Sequence, residues 1–162
     1  MKLNNPFLVR GYYGPEYFCD RQKETGQLID SIINEGDVTL IAPRRYGKTG
    51  LIRNMMESLP SRYDKVYIDI YATECLSDFV KAFAQGVVSS LETKSEKVVS
   101  AIGRFFGALR PSVAPQPDGS VKWSFDLAQA ADKSSIEGVF AFLRSRKKPV
   151  VIAIDEFQQV MK

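Results

Sequence analysis

The chain has 162 residues, 44% apolar and 25% charged, the balance of a single soluble globular domain. There is no histidine, which excludes His-based triads and His-ligated metal sites, and the two cysteines, Cys19 and Cys75, lack metal-ligand spacing and read as buried, reduced thiols. A net charge of +3 permits anion binding without predicting a nucleic-acid surface.

No apolar run approaches the roughly 18 residues that span a bilayer. Met1 to Pro6 lacks the apolar core of a signal peptide. Both predict a cytoplasmic chain with no membrane partner.

Residues 1–19, rich in Pro, Gly and aromatics, read as an irregular N-terminal segment. From Arg21 to Asn34, Leu28, Ile29, Ile32 and Ile33 recur at helical spacing, and Glu35-Gly36-Asp37 ends the helix in a turn. Val38-Thr39-Leu40-Ile41 predicts a short buried strand. Thr49 to Leu59 predicts a helix stopped by Pro60. Lys65 to Tyr71 alternates and is β-branched, a second strand.

Ser77 to Leu91 predicts a long helix with Ser77 placed to cap it. A further helix is expected over 95–109, with Gly103 and Gly107 read as close-packing positions. Pro111 to Asp126 predicts a β-hairpin turning at Pro117-Asp118-Gly119-Ser120, read as structural packing or as a partner surface. Ser134 or Ser135 opens a helix with Ile136, Val139, Phe140 and Leu143 inward. The basic run Arg144 to Lys148 reads as favourable charge at that helix's C-terminal end. Pro149 to Ile154 is a fully apolar strand ending in Asp155-Glu156.

Two stretches carry chemistry. The first is Ala42-Pro43-Arg44-Arg45-Tyr46-Gly47-Lys48-Thr49, set between an apolar run and a helical pattern. Strand, Gly-Lys-Thr loop and helix in that order are the context of a P-loop, whose main-chain N–H groups wrap phosphate. Gly47 permits close backbone approach, Lys48 places a cation on the β- and γ-phosphates, and Thr49 offers a hydroxyl to Mg²⁺. Gly50 continues the loop into the helix N-terminus. Ala42 stands where the basic pattern has Gly, and Pro43 has no N–H to donate but stiffens the turn. Arg44 and Arg45 read as solvated charges or as phosphate or partner contacts. The plain alternative for the whole stretch is a strand-turn-helix with a surface lysine.

The second is Val150 to Glu156. An apolar strand tipped by carboxylates places them at the C-terminal edge of a parallel sheet, where ligands of α/β folds bind. Asp155 would hold Mg²⁺ through water, and Glu156 would orient and deprotonate the attacking water. The alternative is two exposed acids that end a core strand.

With both stretches present, the chain resembles the AAA-type ATPases, and more narrowly the STAND-related, prokaryotic archaeal-type ATPases. Ala42 to Leu51 is similar to the family's Pro-Arg-Arg-x-Gly-Lys-Thr loop, and Val150 to Phe157 to its Asp-Glu strand. Tyr17 to Glu24 is similar to its Phe-x-Gly-Arg-Glu segment, whose backbone lies near adenine, with Asp20 and Gln22 in place of its Gly and Glu. The resemblance implies nucleotide contacts for Phe18 and Arg21.

It further implies an α/β three-layer sandwich with a parallel central sheet, incomplete within this chain, plus a small inserted β-hairpin. Residues 1–162 would be the N-terminal part of one P-loop ATPase domain: a leading segment and helix (1–36), the P-loop unit (37–59), the second strand, helices and hairpin (60–148), and the Asp-Glu strand (149–162). Family members continue past the Asp-Glu strand with a sensor strand, an arginine and a helical region, so a C-terminal remainder is an expected partner.

The activity implied is Mg-dependent ATP binding and hydrolysis in a nucleotide-driven switch or remodeller, with a homo-oligomer or protein partner. A regulatory nucleotide-binding module with negligible hydrolysis, a DNA-associated ATPase and a small-molecule kinase are the alternatives.

Overall fold

The computed structural model describes residues 11–91, 109–115, 121–127 and 133–161. The described residues are mixed α/β, with four α-helices and a two-stranded parallel sheet. The chain divides into two compact units, one ending at Ser61 and one running from Arg62 to Lys162. Each is described by itself.

The first unit holds a 3-10 turn (Pro15–Tyr17) and two helices, α1 (Gln22–Ile33) and α2 (Lys48–Ser58). The helices are in contact, and Asn54 Nδ2 donates to Thr25 Oγ1 at 3.2 Å in a buried pair. Leu28, Leu51, Ile52, Met55, Met56 and Leu59 are the unit's buried apolar side chains. α1 ends in a Schellman arrangement: Gly36 N–H donates to the Ser31 carbonyl at 2.8 Å and Glu35 N–H to that of Ile32 at 3.0 Å. The left-handed residue is Glu35, φ 59°, one position before the glycine that the sequence offers.

Val38 to Ile41 is not a strand. Val38 is 44% exposed and Ile41 91% exposed, so this arm of the loop is neither buried nor paired in a ladder. Four apolar residues make a stable strand only where neighbours take their N–H and C=O groups and cover both faces. Among the described residues no strand offers that ladder.

The second unit is built on β1 (Asp64–Asp69) and β4 (Val150–Asp155), paired in parallel from Asp64↔Val150 to Asp69↔Asp155. Between them come α3 (Leu76–Ser90), the antiparallel pair β2 (Leu109–Pro115) and β3 (Val121–Leu127), and α4 (Lys133–Arg144). Alternation sends Val66 and Ile68 of β1 to one face, where with Ile70 just past the strand they join Val80, Phe83, Ala84 and Val87 of α3 in the core. Phe125 of β3 and Val139, Phe142 and Leu143 of α4 complete it. Ile136 packs against this core, and Phe140, only partly covered, stacks on Phe83 with centroids 5.5 Å apart. Val150 to Ile154 are half-buried rather than fully buried, as expected for a sheet of two strands.

The hairpin falls where the turn signals place it, with Ser112 and Ser124 hydroxyls bonded across it at 2.7 Å. Its turn at 117–120 and the helix expected over 95–109 lie outside the described residues, apart from Leu109, which opens β2 instead. Ser77 does not cap α3. The N-cap is Cys75, and Asp78 in the first turn accepts from Glu74 N–H at 3.4 Å and Cys75 Sγ at 3.3 Å. Ser77 is the second residue of the helix, past the position from which a hydroxyl caps it.

Both cysteines are free and exposed, not buried. Cys19 lies in the irregular segment and Cys75 at a helix terminus, where the chain offers no core to enter. Arg144 sits in the last turn of α4 as expected, while Arg146 bonds Asp64 at 2.8 Å and ties the start of β1 to the approach of β4. No helix of the described residues is long and apolar enough to cross a membrane.

α3 approaches β1 most closely at Gly86, where an added Cβ would stand 2.8 Å from Ile68 Cγ1 and 3.2 Å from the Tyr67 carbonyl oxygen. Gly86→Ala is therefore expected to destabilise the protein by about 1–2 kcal/mol, overpacking exceeding the gain in helix propensity. Denaturant unfolding checks this, with a lower midpoint at unchanged slope as the outcome.

Candidate phosphate loop and acidic strand end

The loop lies in the first unit. Gly47 is its pivot: with φ 71° it adopts the left-handed conformation and is the N-cap of α2. The first intrahelical bond of α2 runs from Leu51 N–H to the Gly47 carbonyl at 3.0 Å. The N–H groups ahead of it have no intrahelical acceptor by geometry, and the N-cap, a glycine, has no side chain to cap them. Arg45 is also left-handed, φ 65°, so the main chain turns sharply twice within three residues.

Lys48 closes the loop. Its Nζ donates to the Ala42 carbonyl at 2.9 Å and to the Pro43 carbonyl at 3.3 Å, which folds the ammonium back across the loop's opening. Lys48 and Gly50 are half-buried, while Pro43, Arg44, Arg45, Tyr46, Gly47 and Thr49 are exposed. The loop is thus an open, cationic rim around a helix N-terminus.

Phe18 and Arg21 are brought to it. A Cβ on Gly50 would stand 3.3 Å from Phe18 Cε2, and one on Gly47 would stand 4.0 Å from Arg21 Nη1. Arg21 is the N-cap of α1 and is left-handed at φ 62°, as is Asp20 at φ 60°. Asp20 occupies the place of the glycine in the resembled segment, and aspartate tolerates this backbone better than most residues.

The acidic strand end lies in the second unit. Asp155 is only 5% exposed. Its Oδ2 accepts from the Tyr67 hydroxyl at 2.8 Å and its Oδ1 from Glu156 N–H at 2.9 Å. The parallel register explains the first bond. Tyr67 and Asp69 share a face of β1, Asp69 is the partner of Asp155, and so Tyr67 reaches the carboxylate from two residue pairs below. Asp69 itself accepts from Tyr71 N–H at 2.9 Å.

Glu156 is half-buried and left-handed at φ 58°, the turn by which β4 enters the 3-10 segment Phe157–Met161. Gln158 Nε2 donates to its Oε2.

The structure assembles Ala42 to Gly50 with Phe18 and Arg21 in one unit and Asp155 with Glu156 in the other. Among the described residues no group of three or more His, Cys, Asp or Glu is arranged to hold a metal by itself. Mg²⁺ asks for less, since it uses one or two carboxylates and completes its shell with phosphate and water.

Tyr67 and Tyr12 escaped sequence reasoning. Tyr67 reads as one more alternating strand residue, and only knowledge of the β1–β4 register would reveal its partner. Tyr12 sits in an irregular segment, where no periodicity points to α2.

No family model, curated protein or solved structure matches this chain.

Tyr67→Phe removes the hydroxyl from a buried carboxylate and is expected to cost about 1.5–3 kcal/mol of stability, the range for a hydrogen bond to a charged group. Chemical denaturation of the variant checks it, and an unchanged midpoint would show that Asp155 does not depend on Tyr67.

Proposed function

We propose that this chain is a P-loop nucleotide-binding module of the AAA and STAND-related ATPase class, which binds ATP or ADP with Mg²⁺ and hydrolyses ATP. The observation that carries the reading is the charge at the start of α2. Helices α1 and α3 place Glu24 and Asp78 in their first turns, in accord with the dipole. α2, like α4, opens on a lysine with no acidic residue in its first turn, and in α2 the N-cap Gly47 gives no side-chain cap and Arg44 and Arg45 lie just before it, separated from Lys48 by Tyr46 and Gly47. Each cation so placed is unfavourable by roughly 0.3–1 kcal/mol, and a bound polyphosphate reverses the sign of every such term.

In this reading the first-turn N–H groups and Gly47 cradle the phosphates, and Lys48 exchanges its two carbonyl bonds for β- and γ-phosphate oxygens. Thr49 in the first unit and Asp155 in the second are the hydroxyl and the carboxylate that this reading offers to Mg²⁺. The metal would neutralise charge between the β- and γ-phosphates. Glu156 accepts the proton of the water that attacks the γ-phosphate. The three-layer P-loop sandwich, a role as switch or remodeller, and a protein or homo-oligomeric partner all belong to this proposal.

A regulatory module that binds nucleotide without turnover is the second reading. What favours it is the engagement of the Glu156 carboxylate by Gln158, which competes with the proton-accepting role.

Calorimetric titration of ATP with Mg²⁺ into the wild-type chain is expected to saturate, and Lys48→Ala to weaken binding at least about tenfold. Unaltered affinity in that variant would overturn the loop assignment. Glu156→Gln should bind ATP as the wild type does while phosphate release falls by about 10²-fold or more, the usual worth of a general base. Equal turnover would remove Glu156 from that role, and saturable binding without wild-type turnover would establish the regulatory reading.

A further inference from the structure

The segment that carries Phe18 and Arg21 to the loop is anchored at its other end. The Tyr12 hydroxyl donates to Glu57 Oε2 in the last turn of α2 and lies 3.3 Å from Asn54 Oδ1 one turn earlier. Asn54 in turn donates to Thr25 in α1. The Tyr12 ring meets Phe18 edge-on, with centroids 6.0 Å apart. Residues 12–21 therefore run as a strap from the C-terminal turns of α2 back to its N-terminus, and the strap finishes in two consecutive left-handed residues, Asp20 and Arg21.

That finish is costly. A left-handed non-glycine residue costs about 1–2 kcal/mol, and two in succession persist only where flanking contacts impose them. One flank is α1, where Thr25 N–H bonds the Arg21 carbonyl at 2.9 Å. The other is the strap, and its polar anchor is Tyr12. The effect of the strain is to turn the Arg21 guanidinium toward Gly47.

We propose that Tyr12 is a positioning residue: clasped by Glu57 and Asn54, it holds the strap so that Arg21 stands beside Gly47 as a second cation for the phosphates of a bound nucleoside triphosphate. This rests on the nucleotide-binding reading of the loop. Burial and the Glu57 carboxylate both push the Tyr12 hydroxyl above the usual phenol range, so it stays a donor at every working pH. The clasp is a fixed tie and not a pH switch. It links the two ends of α2, so that contacts made ten residues from the loop determine where its second cation stands.

The test is titration of Mg²⁺-ATP into the full chain and four variants. Arg21→Ala is expected to weaken binding roughly tenfold, the worth of one charge-assisted hydrogen bond. Tyr12→Phe keeps the ring against Phe18 and loses the clasp, and should weaken binding several-fold. The double variant should bind no more weakly than Arg21→Ala alone, because Tyr12 acts through Arg21. Glu57→Gln keeps an acceptor for the Tyr12 hydroxyl and should bind like the wild type.

Additive losses in the double variant, or wild-type affinity in Tyr12→Phe or in Arg21→Ala, would overturn the proposal while leaving the loop assignment intact, provided Lys48→Ala still loses binding. Failure of the wild type to bind, or wild-type affinity in Lys48→Ala, would overturn both. Should Tyr12→Phe fold poorly, Arg21→Ala and Glu57→Gln still decide it. Weakening by Glu57→Gln equal to that of Arg21→Ala would show that charge at Glu57, and not the clasp, is what matters.

Discussion

The second unit depends on one constraint: two parallel strands cannot be joined by a tight turn. Once Asp64–Asp69 pairs with Val150–Asp155, residues 70–149 have to carry the chain from one end of the sheet back to the other. α3 makes the return across one face, and its approach is so close that position 86 has no room for a side chain. The hairpin and α4 then close over α3 through Phe125, Val139 and Phe142. Parallel pairing also brings both C-terminal tips to one edge, with Asp69 and Asp155 in register. The carboxylate that a metal site would use and the tyrosine that fixes it are both consequences of that register.

In the first unit α2 has a comparable position. Its N-terminus presents the loop, its middle holds Asn54 against Thr25 of α1, and its last turn holds Tyr12. One helix thus orients everything near the loop. The charge at its start opposes its own dipole, and the ammonium of Lys48 finds compensation from main-chain carbonyls of the loop itself. In both bonds only the donor is charged, whereas a phosphate acceptor would carry charge as well.

Much of this was legible in the sequence, for identifiable reasons. The four helices and the β1 and β4 strands follow from local periodicity, and their boundaries fall within a few residues of those expected. The junction at Gly47 and Lys48 was legible because glycine accepts the left-handed turn that opens α2. What failed was whatever depends on distant partners. Val38 to Ile41 has the composition of a buried strand, yet burial needs neighbours, and Ile41 is nearly fully exposed. Cys19 and Cys75 have the hydrophobicity of core residues and lie on the surface. Tyr12 and Tyr67 carry no local signal because their partners are 45 and 88 residues away.

Backbone strain is present in both units. Among the described residues, the non-glycine positions with positive φ are Asp20, Arg21, Glu35, Arg45 and Glu156. Glu35 has an ordinary cause, the Schellman end of α1. The others fall on or beside candidate ligand contacts: Asp20 and Arg21 at the strap's end, Arg45 within the loop, and Glu156 at the tip of β4. Each is worth about 1–2 kcal/mol against folding, and none ends a helix. A chain under no demand but stability would replace such residues with glycine or relax the turn. Strain of this kind persists where flanking contacts impose it, and here it falls at Asp20, Arg21 and Arg45 near the start of α2 in the first unit and at Glu156 past the end of β4 in the second.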